Sequence, residues 1–194
     1  SKRLGIPVVC NFRQQDIDLG GQGAPLVPIG DRLLFSEFDA CLNLGGIANI
    51  SYEKHSSRFA FDICPCNILL NHIANQIGQD FDMDGELASK GIVDKNLLKS
   101  LNEIDYYYSL HPKSLGMEYV DSFFFPILSK VSLNTLDLLA TISEHIAVQL
   151  SKVFLQLDLN KILVTGGGAF NTNLIARIEK HYMSSLLLPS REII

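Results

Sequence analysis

Between residues 41 and 67 the apolar positions fall into two extended runs separated by polar ones. In CLNLGGIANIS, Leu42, Leu44, Ile47 and Ile50 read as one β-strand broken at Gly45-Gly46, where missing Cβ atoms let a ligand reach the backbone. In RFAFDICPCN a second strand runs from Phe59 and ends at Asp62, and the polar residues 53–57 between the two suit a hairpin. Spacing then changes from two to three and four. Ile68, Leu69, Ile73, Ala74 and Ile77 predict a helix over 67–77, capped by Asn67 and stopped by Gly78. Leu97, Leu98 and Leu101 predict another helix, which the aromatic group 106–108 ends. Residues 136–157 predict one long helix with a wide apolar face and His145 on its polar side. A short strand is expected over 6–10, a buried one over 161–165, and a helix over 173–182. Strands alternating with helices make this an α/β chain.

The candidate chemistry lies at the breaks in this pattern. A helix starting just after Asp62 would aim its positive end at that carboxylate, stabilising an anion and its metal ion there. A plain antiparallel hairpin with a glycine bulge accounts for the same residues. Gly166-Gly167-Gly168 between a strand and a helix marks a second close approach. Residues 20–25, GGQGAP, form a glycine-rich loop with a stiffened exit, read as a ligand-side loop rather than a plain connector, and no Gly-Lys-Ser/Thr follows it. Asp80, Asp82 and Asp84 imitate a calcium loop, but the twelfth position is Gly91, so a solvated acidic turn is expected. Lys113 and Glu118 lie in an irregular polar segment and are expected in water. Phe123, Phe124 and Phe125 before Pro126 suit core packing at a helix start or bend.

Composition narrows the class. With 194 residues and 47% apolar content the chain can bury one good core or two small ones. A net charge of −5 with no basic cluster argues against nucleic-acid and membrane partners. Cys10, Cys41, Cys64 and Cys66 are too few and scattered for a disulfide scaffold, and the expected setting is a reducing cytoplasm. The run 136–157 carries Asp137, Glu144, His145, Gln149 and Lys152 and is not expected to cross a membrane.

GGQGAPLVP, LNLGGIANIS, the FD-x-x-P-x-N ending, PKS-x-G-x-E and VTGGGAFN stand in one order over most of the chain. In this the sequence resembles the anhydro-N-acetylmuramic acid kinases of the actin, hexokinase and Hsp70 ATPase superfamily. The resemblance implies a ribonuclease-H-like, actin-like ATPase fold, a mixed sheet with flanking helices. It also implies an enzyme that adds water to the 1,6-anhydro ring of a murein-recycling sugar and phosphorylates O6 with ATP and Mg2+. By the same resemblance Gly45, Gly46, Asn49, Asn67, Gly166, Gly167, Gly168 and Asn171 bind ATP, with Gly45 and Gly46 at the phosphates and Gly166, Gly167 and Gly168 beside the adenosine, and Asp62 lies near the metal. Arg13, Gly21, Gln22 and Gly23 would contact the sugar, and position 11 would hold the general base. The implied partner is a small amino sugar, with a homodimer as an option.

Three departures qualify this. The family's aspartate at the general-base position is Asn11, which cannot accept a proton, so Asp16 is the expected substitute. The family's Thr-Gly-Pro-Gly-Asn is Ile63-Cys64-Pro65-Cys66-Asn67, which places thiols near the phosphates; two cysteines without a second pair make a weak zinc site. The family's amino-terminal Gly-Thr-Ser loop and carboxyl-terminal end have no counterpart, so the chain reads as a piece, truncated at both ends and expected to be inactive as a kinase alone. Residues 1–27 would end the first lobe and 28–194 form the second. The alternatives are a homologue that binds nucleotide or amino sugar without turnover, and a kinase of a different sugar.

Overall fold

The fold is taken from a computed structural model, which describes residues 5–8, 10–20, 27–110, 113–183 and 185–189, apart from the side chains of Phe12, Arg13 and Asp16. Among the described residues one sheet holds β1 (Ala40–Leu44), β2 (Ile47–Lys54), β3 (Ser57–Pro65), β4 (Lys161–Thr165) and β5 (Ser185–Leu187), in the order β3-β2-β1-β4-β5. β2 is antiparallel to both β1 and β3, while β4 is parallel to β1 and to β5. The helices are α1 (Phe12–Asp18), α2 (Val27–Leu34), α3 (Asn67–Asn75), α4 (Glu86–Lys90), α5 (Lys95–Asn102), α6 (Met117–Tyr119), α7 (Phe125–Ser129), α8 (Thr135–Leu157) and α9 (Thr172–His181).

The stretch read as a single strand around Gly45-Gly46 is a hairpin: the chain reverses there, and Leu44 pairs with Ala48. Apolar positions on both sides of the glycines gave no hint of reversal, because β1 and β2 bury the same kind of residue. Leu42, Ile50 and Phe61 stand opposite one another in register and are all buried. The next turn is tighter than residues 53–57 promised. Only His55 and Ser56 lie between β2 and β3, both at positive φ (52° and 62°), the pair of left-handed residues that matches the strands' right-handed twist.

α8 is the core of the helical layer. Asn134 caps it by accepting from the Asp137 N–H at 2.9 Å, and Leu139, Ile142, Ile146, Leu150 and Phe154 are fully buried. It is long and apolar enough to cross a membrane, but 78% of its most apolar window is buried within this fold. Burial extends round most of the helix, which corrects the reading of His145 as a surface residue. His145 is 0% exposed, with Nδ1 2.7 Å from Asn102 Oδ1 and Nε2 2.8 Å from the Tyr107 hydroxyl. Since a carbonyl oxygen only accepts, Nδ1 carries the hydrogen and Nε2 accepts from Tyr107. Burial among these neutral partners holds the His145 pKa down to about 3.

The strand expected over 6–10 does not form among the described residues. No strand of the sheet pairs with it, and Ile6 and Val8 are 55% and 56% exposed. Phe124 and Pro126 fall where α6 passes through one wide turn into α7, with Phe124 fully buried.

Candidate nucleotide site

The turn that follows β4 explains two of its three glycines by packing. Gly166 sits at φ +82°, and a Cβ there would lie 2.3 Å from Asn43 Oδ1 and 2.9 Å from the Leu44 carbonyl. A Cβ on Gly168 would lie 2.7 Å from that of Leu44. The turn can therefore nest on the end of β1 only without these side chains. Gly167 differs: nothing lies within 4 Å of its would-be Cβ, and it faces a cavity of about 570 Å³. Asn171 at the cavity's edge caps α9 by accepting from the Leu174 N–H at 2.9 Å. A second wall is α3, whose Asn67, Leu70 and Asn71 share one face at i, i+3 and i+4. The third comes from residues 81–84. The acidic turn expected to be solvated is so at Asp80, which is exposed, but not at Asp82, which is buried and whose two oxygens accept from Leu87 N (2.8 Å) and Ala88 N (2.9 Å) at the start of α4.

The β1–β2 turn and the start of α3 are joined directly. Gly46 O accepts from Cys66 N (2.8 Å) and Ile68 N (3.1 Å), and Gly45 O from Asn67 N (3.2 Å). These N–H groups, expected to point at an anion, are spent on the turn. Asn67 does not cap the helix either; it is the first helical residue, and its Nδ2 donates to Leu44 O at 2.9 Å. Cys64 and Cys66 are fully buried, and burial pushes the Cys66 thiol up to about 12 and Cys64 well above the ordinary range. Both are therefore packing residues in the thiol form. Among the described residues no three His, Cys, Asp or Glu side chains are grouped to hold a metal ion.

Asp62 lies within β3 rather than at its end, since the strand continues to Pro65. It stands in a row that the sequence reading did not assemble. Thr165, Asn43, Asn49 and Asp62 are register partners across β4, β1, β2 and β3, so four polar side chains cross one face of the sheet. The signal was there: each is a polar residue set among apolar neighbours. Asp62 Oδ2 accepts from Leu115 N (2.8 Å) and Ser114 Oγ (3.2 Å), while its backbone N–H donates to Lys113 O. Ser114 and Leu115 thus hold the carboxylate. Lys113, expected in water, donates Nζ to Tyr106 O at 2.9 Å and lies 4.3 Å over the Tyr106 ring, where desolvation lowers its pKa. A single carboxylate with one committed oxygen suits Mg2+, which keeps most of its waters and relies on substrate phosphates for other ligands.

The amino-terminal candidates are less fully defined. Asn11 is exposed at φ +61°, just before α1, a conformation that asparagine and aspartate tolerate. Arg13 and Asp16 belong to α1, but their side chains lie outside the description, as do Gly21, Gln22 and Gly23 altogether. α2 leads from this segment onto the face of the polar row. There Ser51, two residues beyond Asn49, donates Oγ to Asp31 Oδ2 and accepts from Arg58 Nη2 at 2.8 Å.

Sheet order, strand directions and the glycine turn at the mouth of the cavity define the ribonuclease-H-like fold of the actin-like ATPases. Two solved structures share it: an activator of the 2-hydroxyisocaproyl-CoA dehydratase from Clostridium difficile with bound ADPNP, and component A of the Acidaminococcus fermentans (R)-2-hydroxyglutaryl-CoA dehydratase. Each aligns with a TM-score of 0.52 over 84% of this chain, at 14% and 15% identity, covering 58% and 60% of the other chain. Within that class the chain belongs to the anhydro-N-acetylmuramic acid kinase family, whose family model matches residues 1–193. Its relatives include the anhydro-N-acetylmuramic acid kinases of Shewanella sediminis, 37% identical over 91% of this chain, and of Caldanaerobacter subterraneus, 31% identical over 100%. The chain spans about half the length of these relatives, 50% and 54% respectively.

Proposed function

We propose that this chain forms the nucleotide-binding part of a kinase that uses ATP and Mg2+ to open 1,6-anhydro-N-acetylmuramic acid with water and phosphorylate its O6. The observation that carries the reading is the Gly167 cavity lying beside the polar row that ends at Asp62. Adenosine would occupy the cavity. Gly45, Gly46, Asn49 and Asn67 would border the phosphates, and Asp62 would hold Mg2+ through its water shell. The ion supplies charge neutralisation for the transferring phosphoryl group. Residues 1–27 would belong to the sugar side and hinge, with Arg13, Gly21, Gln22 and Gly23 around the substrate, and 28–194 to the second lobe. Free cysteines throughout suit a reducing cytoplasm.

The water that adds to the sugar must lose a proton, and Asn11 cannot take it. Asp16, one helical turn or so along the same segment, is the base in this reading. The test is phosphorus NMR of sugar 6-phosphate formed by the chain in its full-length context, as Asn11 and as Asn11→Asp. Product from both forms supports Asp16 as the base, and Asp16→Asn should then lower the rate roughly a hundredfold or more. Product only from Asn11→Asp would mean the natural protein binds without turnover, a reading that Asn11 itself favours. Product from neither would overturn the assignment of substrate.

A further inference from the structure

Of the three asparagines around the cavity, Asn67 and Asn171 are committed to Leu44 O and Leu174 N, at 2.9 Å each. The Asn71 side chain makes no hydrogen bond among the described residues, although α3 presents it on the same face as Asn67. The same cavity is lined by two large apolar side chains that the fold leaves in the open. Phe81 is 53% exposed and Met83 64% exposed, both on the cavity wall. Their backbone is tied down on three sides. Asp82 is fixed by the start of α4, Asp84 O accepts from Thr172 Oγ1 at 2.9 Å, and Gly85, at φ +73°, leaves a Cβ only 2.2 Å from Asn171 Oδ1. A segment pinned this way holds its apolar side chains out over the cavity and does not let them fold away.

We propose that Phe81 and Met83 receive the flat face of a purine and that Asn71 reads its edge, selecting adenine over guanine; this rests on the nucleotide reading above. A carboxamide offers one N–H donor set and one acceptor. On its N7 edge adenine presents the complement, N6–H₂ beside N7, so both amide atoms are satisfied at once. On that same edge guanine presents O6 and N7, two acceptors, and leaves the amide oxygen facing another acceptor. The aromatic and thioether surfaces are indifferent to the base and supply affinity through stacking.

The experiment is calorimetric titration of the full chain with ATP, GTP and inorganic tripolyphosphate, each with Mg2+. ATP should bind about tenfold or more tighter than GTP, a ratio that Asn71→Ala brings close to one and Asn71→Gln partly preserves. Phe81→Ala should weaken ATP and GTP together by roughly tenfold while leaving tripolyphosphate unchanged, which also shows that the variant is folded. An unchanged ATP-to-GTP ratio in Asn71→Ala, or equal losses for ATP and tripolyphosphate in Phe81→Ala, would overturn the proposal and leave the nucleotide reading standing. Binding of tripolyphosphate with no gain for ATP would do the same. If the native chain takes up neither nucleotide nor tripolyphosphate, the nucleotide reading itself falls, and this proposal with it.

Discussion

Gly166 and Gly167 are neighbours with opposite requirements. Gly166→Ala forces a side chain into Asn43 and the Leu44 backbone at a positive φ, so it should cost about 2–3 kcal/mol or more in denaturant unfolding. Gly167→Ala meets open space and should change stability by no more than about 1 kcal/mol. Its effect should appear in ATP affinity, because the methyl group would stand in the cavity. Equal destabilisation by both would contradict the distinction. The three glycines were legible in the sequence as a close approach, but what approaches was not: for Gly166 and Gly168 it is Leu44, some 120 residues away in the chain. Asn67 misled for a similar reason. Its residue type suits a cap, but the turn at Gly45-Gly46 supplies the carbonyls that α3 needs, and the amide is drawn to Leu44 instead.

At the scale of elements, α8 was the clearest feature of the hydrophobic pattern and yet His145 was misplaced. A repeat of three and four shows which side of a helix must be buried; it says nothing about whether the other side is covered too. Asn102 and Tyr107, which enclose His145, lie about forty positions away and announce nothing by spacing. The consequence is a pH dependence whose sign is fixed. The unfolded chain takes up a proton on His145 near pH 6.5 and the folded one only near 3, so stability falls as pH drops through that interval, by up to about 1.4 kcal/mol per unit. Glu144, one residue earlier, acts lower down. It bonds Arg177 Nη1 at 2.7 Å and His181 Nε2 at 2.6 Å, joining α8 to α9, and although burial alone would raise its pKa, these partners lower it below 4.5. Its contribution is complete above that value and is lost as pH falls through the depressed one. Denaturant midpoints of wild type, His145→Gln and Glu144→Gln between pH 7.5 and 3.5 should separate the two. The first variant should flatten the upper part of the profile and the second only the acid end.

For the molecule as a whole, the sheet and its helical layer followed from pattern and resemblance together, whereas the amino-terminal segment did not. α2 shows why. Its inward contact is polar: Asp31 meets Ser51 and Arg58 on the sheet, while Arg32 lies 3.5 Å from Glu53 at the surface. Its apolar residues face outward, with Val27, Ile29, Leu33 and Leu34 between 62% and 73% exposed. This inverts the usual surface helix, so a reading that turns apolar faces toward the core misplaces it. Stability should therefore depend on the polar side. Asp31→Ala leaves Arg58, only 9% exposed, without its carboxylate and should cost up to about 3 kcal/mol. Leu33→Glu with Leu34→Glu should leave unfolding within about 0.5 kcal/mol of wild type while reducing binding of a hydrophobic dye and any self-association of the chain. Those two readouts place the apolar face of α2 outside this chain's own core. A large loss of stability in the double glutamate variant, with dye binding unchanged, would instead put Leu33 and Leu34 inside it.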